Sequence, residues 1–168
     1  MLKRVITAVT ASVFALLMMS SMAQAAMVRY NIDGVLDSGA LLGETYNGFL
    51  RFDTASLTYT GAESVNLADF SLNFLANTFD IGAADFAPTA EFLDGRFLGV
   101  SYSVSAFDPQ FALVAASGLG GAADRPYFAY TTVLGDSGFG SLVLVPEPAS
   151  MALFALGLVG MGVVRRYR

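Results

Sequence analysis

The chain has 168 residues, 55% of them hydrophobic, a formal net charge of −5, and no histidine, cysteine or tryptophan. Without His or Cys, Ser–His–Asp and Cys–His catalysis and the commonest zinc and copper sites are excluded, as is any disulfide. The single lysine is Lys3, so Schiff-base and Ser–Lys chemistry fall away from everything after the first residues, leaving carboxylates and calcium.

Met1-Leu-Lys3-Arg4 is a short positive region, followed by an apolar run from Val5 to Met19 and the small residues Ala23-Gln-Ala25. This is the pattern of a secretory signal peptide with an A-x-A site, cut between Ala25 and Ala26, so Ala23, Ala25 and Ala26 mark the signal peptidase site. Its partners are then signal peptidase and the secretory translocon. Setting aside 1–25 and 146–168 leaves a mature domain of 120 residues, 26–145, in which four arginines stand against thirteen acids, a charge of −9. Such a domain repels phosphate backbones, which excludes nucleic acid as a partner.

Within the domain, Val28, Tyr30 and Ile32 alternate with Arg29, Asn31 and Asp33, the period of a half-buried strand. Tyr46–Phe52 predicts a second strand and Thr58–Gly61 a brief edge piece. The stretch from Val65 to Phe79 has a strand centre, with Phe70, Leu72 and Phe74 on one face. Ala90–Leu93, Asp94-Gly95 and Arg96–Ser103 read as a hairpin, with Leu98, Val100, Tyr102 and Val104 sharing a face. Short strands at Phe111–Ala115, Tyr127–Leu134 and Phe139–Val145 complete the set, with Gly118–Asp124 a loop. About eight strands punctuated by Gly, Asp, Ser and Pro predict an all-β fold: one antiparallel β-sandwich or jelly-roll-like domain, flanked by an N-terminal signal helix and a C-terminal hydrophobic helix.

Carboxylates supply the candidate sites. Asp33 and Asp37 bracket Gly34 and offer two ligands to calcium, but the EF-hand spacing is absent and Asp is an ordinary turn residue. Glu91 and Asp94 form a potential acid–base pair for glycoside hydrolysis, beside a hairpin turn where solvated acids are expected anyway. Gly138-Phe-Gly-Ser-Leu142 lacks the order of a nucleophile elbow. The aromatic residues are expected in the core and on sheet faces, and an exposed tyrosine cluster is a possible polysaccharide shelf.

The end of the chain is the most specific stretch. Pro146-Glu147-Pro148 precedes an uncharged apolar run, Met151–Val164, and then Arg165, Arg166 and Arg168. The two prolines forbid helix and hold an extended, protruding backbone. The arginines stop transfer and stay cytoplasmic. A 14-residue helix is about 21 Å long against roughly 30 Å of hydrocarbon, so the span suits a disposable anchor. These three features in order resemble the PEP-CTERM sorting signal of Gram-negative bacteria, over residues 146–168. The resemblance implies recognition of Pro146, Glu147 and Pro148 by an exosortase, a membrane-embedded enzyme of cysteine-transpeptidase type. It also implies transient residence in the inner membrane through residues 149–164, and delivery to the cell envelope or an exopolysaccharide-rich biofilm matrix. Tyr30–Gly34, Gly43–Asp53 and the Asp94-Gly95 hairpin loosely resemble small exported domains that precede such tails, which supports a β fold and transfers no active site. The expectation is therefore a non-enzymatic exported protein without cofactor, whose partners are the exosortase, the inner membrane and extracellular polysaccharide. The alternatives are a carbohydrate- or calcium-binding adhesive module and a carboxylate-only hydrolase.

Overall fold

The structure, a computed structural model, describes residues 27–121 and 124–147. The signal-peptide reading (Ala23, Ala25, Ala26), Pro148, the span 149–164 and Arg165, Arg166 and Arg168 lie outside the described residues, as do both expected flanking helices.

Nine strands follow one another: β1 Met27–Leu36, β2 Thr45–Asp53, β3 Ala62–Phe74, β4 Asn77–Asp80, β5 Thr89–Leu93, β6 Arg96–Val104, β7 Gln110–Val114, β8 Tyr127–Thr131 and β9 Ser137–Pro146. The only helical pieces among the described residues are 3-10 turns at Thr54–Ser56 and Ile81–Ala83. All pairings are antiparallel, and the order β2-β1-β9-β8-β7-β6-β5-β3 returns to its start through β2–β3. The sheet therefore closes. β2 takes the β3 edge over Leu67–Phe74, while β4 and β5 share the opposite edge, pairing with Ser71–Phe74 and Ala62–Asn66. Together β4 and β5 fill one position, which makes an eight-position up-and-down barrel.

This corrects the expected sandwich or jelly roll. Alternation along a strand states that one face is buried, and it is the same whether that face meets a second sheet or the inside of a closed one. Closure by β1 against β9, with Tyr30 opposite Pro146 and Leu36 opposite Gly140, joins residues more than a hundred positions apart.

An eight-stranded barrel is just wide enough for side chains to fill it. Ile32, Leu36, Leu50, Leu72, Val100 and Phe128 are fully buried, and no polar or charged residue is buried among the described residues. Phe128 sits amid Tyr46, Phe74 and Phe111, with ring centroids 4.5, 5.0 and 5.3 Å away. A second aromatic group, Tyr30, Phe52, Phe92 and Phe97, fills the end where β1 starts. Room for these rings comes from inward glycines. A Cβ on Gly34 would meet the Tyr46 ring, and one on Gly138 would meet that of Tyr130, so each tyrosine lies over the glycine opposite it.

Four local expectations change. A bulge between Glu91 and Phe92 pairs Phe92 with Phe97 and Glu91 with Gly99. Phe97 is thereby turned inward, and Leu98 leaves the face it was expected to share and packs near Gly118 of the loop between β7 and β8. Thr58–Gly61 is not a strand; Glu63 accepts bonds from Thr58 N and Oγ1 and holds it as a turn. The stretch from Val65 to Phe79 breaks at Leu75-Ala76, both with positive φ, into β3 and β4. Finally, β8 stops at Thr131, because Thr132 N bonds to Asp136 O and begins the hairpin to β9.

Candidate sorting site at the end of the last strand

β1 starts and β9 finishes at the same end of the barrel, with Pro146 opposite Tyr30, three residues into β1 from Met27. The expected protruding motif is only partly free. Pro146 is the last residue of β9, opposite Tyr30. The next residue, Glu147, donates its N–H to Arg29 O at 3.0 Å, which makes Arg29 and Glu147 a hydrogen-bonded pair of the ladder. Tyr30 and Pro146 are then a non-hydrogen-bonded pair, where a missing N–H costs nothing. That register lets a proline close the strand.

Glu147 also faces a cation. Its Oε1 lies 2.9 Å from Arg29 Nε, with the two side chains 39% and 45% exposed. Nε itself is shielded and makes no hydrogen bond, so the contact is an ion pair out of line for a bond. The guanidinium lies over the Phe49 ring, 4.0 Å from its centroid. Across the sheet, Arg29 stands opposite Arg51, an unfavourable like-charge pairing. Each arginine turns to an acid on its other side, Arg29 to Glu147 and Arg51 to Asp69 at 3.6 Å. A charge ladder thus runs over β9, β1, β2 and β3 and ends on the motif. Arg29 was not singled out from sequence. The signal lay in its outward position on β1, but its partner became visible only through β1–β9 closure.

The remaining carboxylates are placed as follows. Asp33 is exposed on the outer face of β1, opposite Asn47 and Val143, and Asp37 follows β1 in the connecting loop. Among the described residues no three His, Cys, Asp or Glu side chains gather as a metal-holding group. Glu91 accepts from Ser64 Oγ and Thr89 Oγ1, and Asp94 accepts from Gly61 N; each carboxylate is engaged locally on the outside of the barrel. Asp108 accepts from Val133 N. Asp124 ties its loop through Ser117 N, Ser117 Oγ and Gly120 N, and the bond from Gly120 N–H is the leading reason its carboxyl is held below the usual range.

Asp85 patches the break between β4 and β5 onto β6 and beyond: it accepts from Ser105 Oγ, Ser105 N and Ser103 Oγ. Those bonds, the Ser105 hydroxyl first, lower its pKa from the ordinary 3.8. A lowered folded pKa means stability that is complete above the unfolded value and lost as pH falls through the folded one. The melting temperature of Asp85→Asn should therefore lie below that of the parent chain at pH 6. The gap should narrow as pH falls below the ordinary 3.8 and close only once it has passed through the lowered folded value. A constant gap would show that the charge contributes nothing.

The outer wall of β8 and β9 carries an apolar patch. Tyr127 and Phe139 are 39% and 57% exposed, their rings edge-on with centroids 6.0 Å apart. They line a groove of about 450 Å³ with Arg125, Pro126, Val143 and Asp37. Phe139, Val143 and Val145 share the outer face of β9 with Ser137 and Ser141, while Gly138, Gly140, Leu142 and Leu144 face inward, so β9 is largely apolar on both faces. This two-sided pattern was readable in the sequence, but which face looked outward was not.

Compared with known proteins, residues 144–168 match the family described as the PEP-CTERM protein-sorting motif. No curated protein and no solved structure matches the chain.

Proposed function

We propose, from the premise that this chain carries a C-terminal PEP-CTERM protein-sorting motif, that it is a non-enzymatic surface or extracellular-matrix protein. The sorting motif implies an exosortase as its processing partner and export to the cell envelope. The reading beyond that is ours. Signal peptidase removes residues 1–25, residues 149–164 hold the chain briefly in the inner membrane, and the exosortase acts at Pro146-Glu147-Pro148. The mature barrel is then delivered as cargo to an exopolysaccharide-associated matrix.

The observation that carries this reading is the position of the motif. It begins on Pro146, the last residue of the strand that closes the barrel, with no linker, and only Ala149 and Ser150 separate it from the apolar run Met151–Val164. A folded domain is thereby held against the membrane face at the point of processing. The test replaces Pro146, Glu147 and Pro148 together with alanine in the producing cells. The full-length variant should accumulate in the inner membrane, while the parent, recovered from envelope or medium, should by intact mass begin at Ala26 and lack the C-terminal arginines. Normal release of the variant would remove the motif from its role.

A second reading rests on the groove beside Tyr127 and Phe139. Exposed aromatic faces next to Arg125 and Asp37 suit stacking on, and hydrogen bonding to, a sugar ring. In this reading the barrel is an adhesive module. Binding of the producing organism's own exopolysaccharide, abolished in Tyr127→Ala/Phe139→Ala, would favour it.

A further inference from the structure

We infer that the folded barrel masks its own sorting motif, with Arg29 as the latch, so that an exosortase reads Pro146-Glu147-Pro148 only after the end of β9 peels from β1. The inference rests on the exosortase reading above and adds a residue outside the motif that sets the rate of processing.

The chemistry of the motif makes the point. Prolines carry no N–H, so Pro-Glu-Pro offers one backbone donor, that of Glu147, and one charge, the Glu147 carboxylate. Both are held by Arg29, the N–H by its carbonyl at 3.0 Å and the carboxylate by its guanidinium at 2.9 Å. Pro146 is meanwhile held in the ladder opposite Tyr30. An enzyme that reads an extended peptide needs its backbone edge and its side chains free. Here it must compete with one residue for both distinguishing features. The latch is also weak enough to open. A half-exposed ion pair and one terminal ladder bond belong to the fraying end of the stability range. β1 carries the arginine with its side chain pinned over Phe49, so the latch is preformed on the barrel and the motif is the part that moves.

The experiment is a pulse-chase of the full chain in its producing cells, following loss of the unprocessed band. Arg29→Ala should be processed about two- to fivefold faster than the parent, the change that loss of one exposed ion pair commands. Arg29→Lys keeps the charge and should stay near the parent rate. Arg51→Ala removes both the ion pair to Asp69 and the like charge opposite Arg29 without touching the motif, and should be processed no faster than the parent. Because an unfolded barrel would also expose the motif, a converse variant is needed. Asn31→Cys/Val145→Cys joins a directly opposite pair of β1 and β9, at a Cα separation of about 5.5 Å that a disulfide can span. The chain has no other cysteine, and the bridged molecules should be processed more slowly than the parent, with recovery on reduction. Arg29→Ala at or below the parent rate, an equal acceleration in Arg51→Ala, or bridged molecules processed at the parent rate would each overturn the latch. Failure of the exosortase reading looks different: the triple-alanine motif variant would then be processed like the parent.

Discussion

Phe128→Ala should cost the barrel about 3–5 kcal/mol, the range for emptying a fully buried aromatic site. Phe128 is 0% exposed and its ring touches those of Tyr46, Phe74 and Phe111, contributed by β2, β3 and β7. Because the barrel is closed, these strands are already spaced by their hydrogen bonds to neighbours and cannot collapse inward to fill the hole. The loss should therefore fall toward the upper end of that range. Phe128→Leu keeps most of the volume and should cost far less, about 1–2 kcal/mol. Urea unfolding of the three proteins measures the difference, and an alanine variant within about 1 kcal/mol of the parent would mean the site can close after all.

Gly48→Ala should be as damaging for the opposite reason, by at least about 3 kcal/mol, the upper end of what overpacking costs. A Cβ at Gly48 would lie 2.0 Å from Ser71 O and 2.9 Å from Leu72 Cα. Both are backbone, so no rotamer relieves the overlap. β2 and β3 would have to separate, which would open the closed sheet between them. Gly43→Ala is the useful comparison: nothing lies within 4 Å of its Cβ position, but its φ is +89°. It should cost only the backbone strain, about 1–3 kcal/mol. Thermal melts order the two, and a Gly48→Ala protein as stable as Gly43→Ala would remove the close approach as a cause.

Both expectations also bear on the motif. Among the described residues β9 pairs with β1 and β8, and a barrel opened between β2 and β3 loses the curvature that brings β1 to β9. The variants that unfold the barrel should thus also release Glu147. This is why the latch is tested with a stapled chain as well as with Arg29→Ala.

Much of this molecule was legible in the residues alone. Period-2 alternation located the core faces of β1 and β3, because a strand can bury every second side chain only on one side. The Asp94-Gly95 hairpin was readable because its backbone, with positive φ at both residues, favours that pair. The processing motif was legible because it depends on order and composition: two prolines around an acid, an apolar run, then arginines. Turn bonds were less so: Glu63 and Asp85 organise their loops through bonds to residues whose positions only the fold supplies.

The tertiary structure decided three things. Closure into a barrel was one, since alternation is identical in a sandwich. The inward turn of Phe97 was another, since a bulge shifts a strand's phase and leaves no mark in a hydrophobic pattern. The third was the meeting of Arg29 with Glu147. An isolated sequence shows an arginine near one end and a glutamate near the other, and only the antiparallel register of first strand against last brings that cation to that carboxylate.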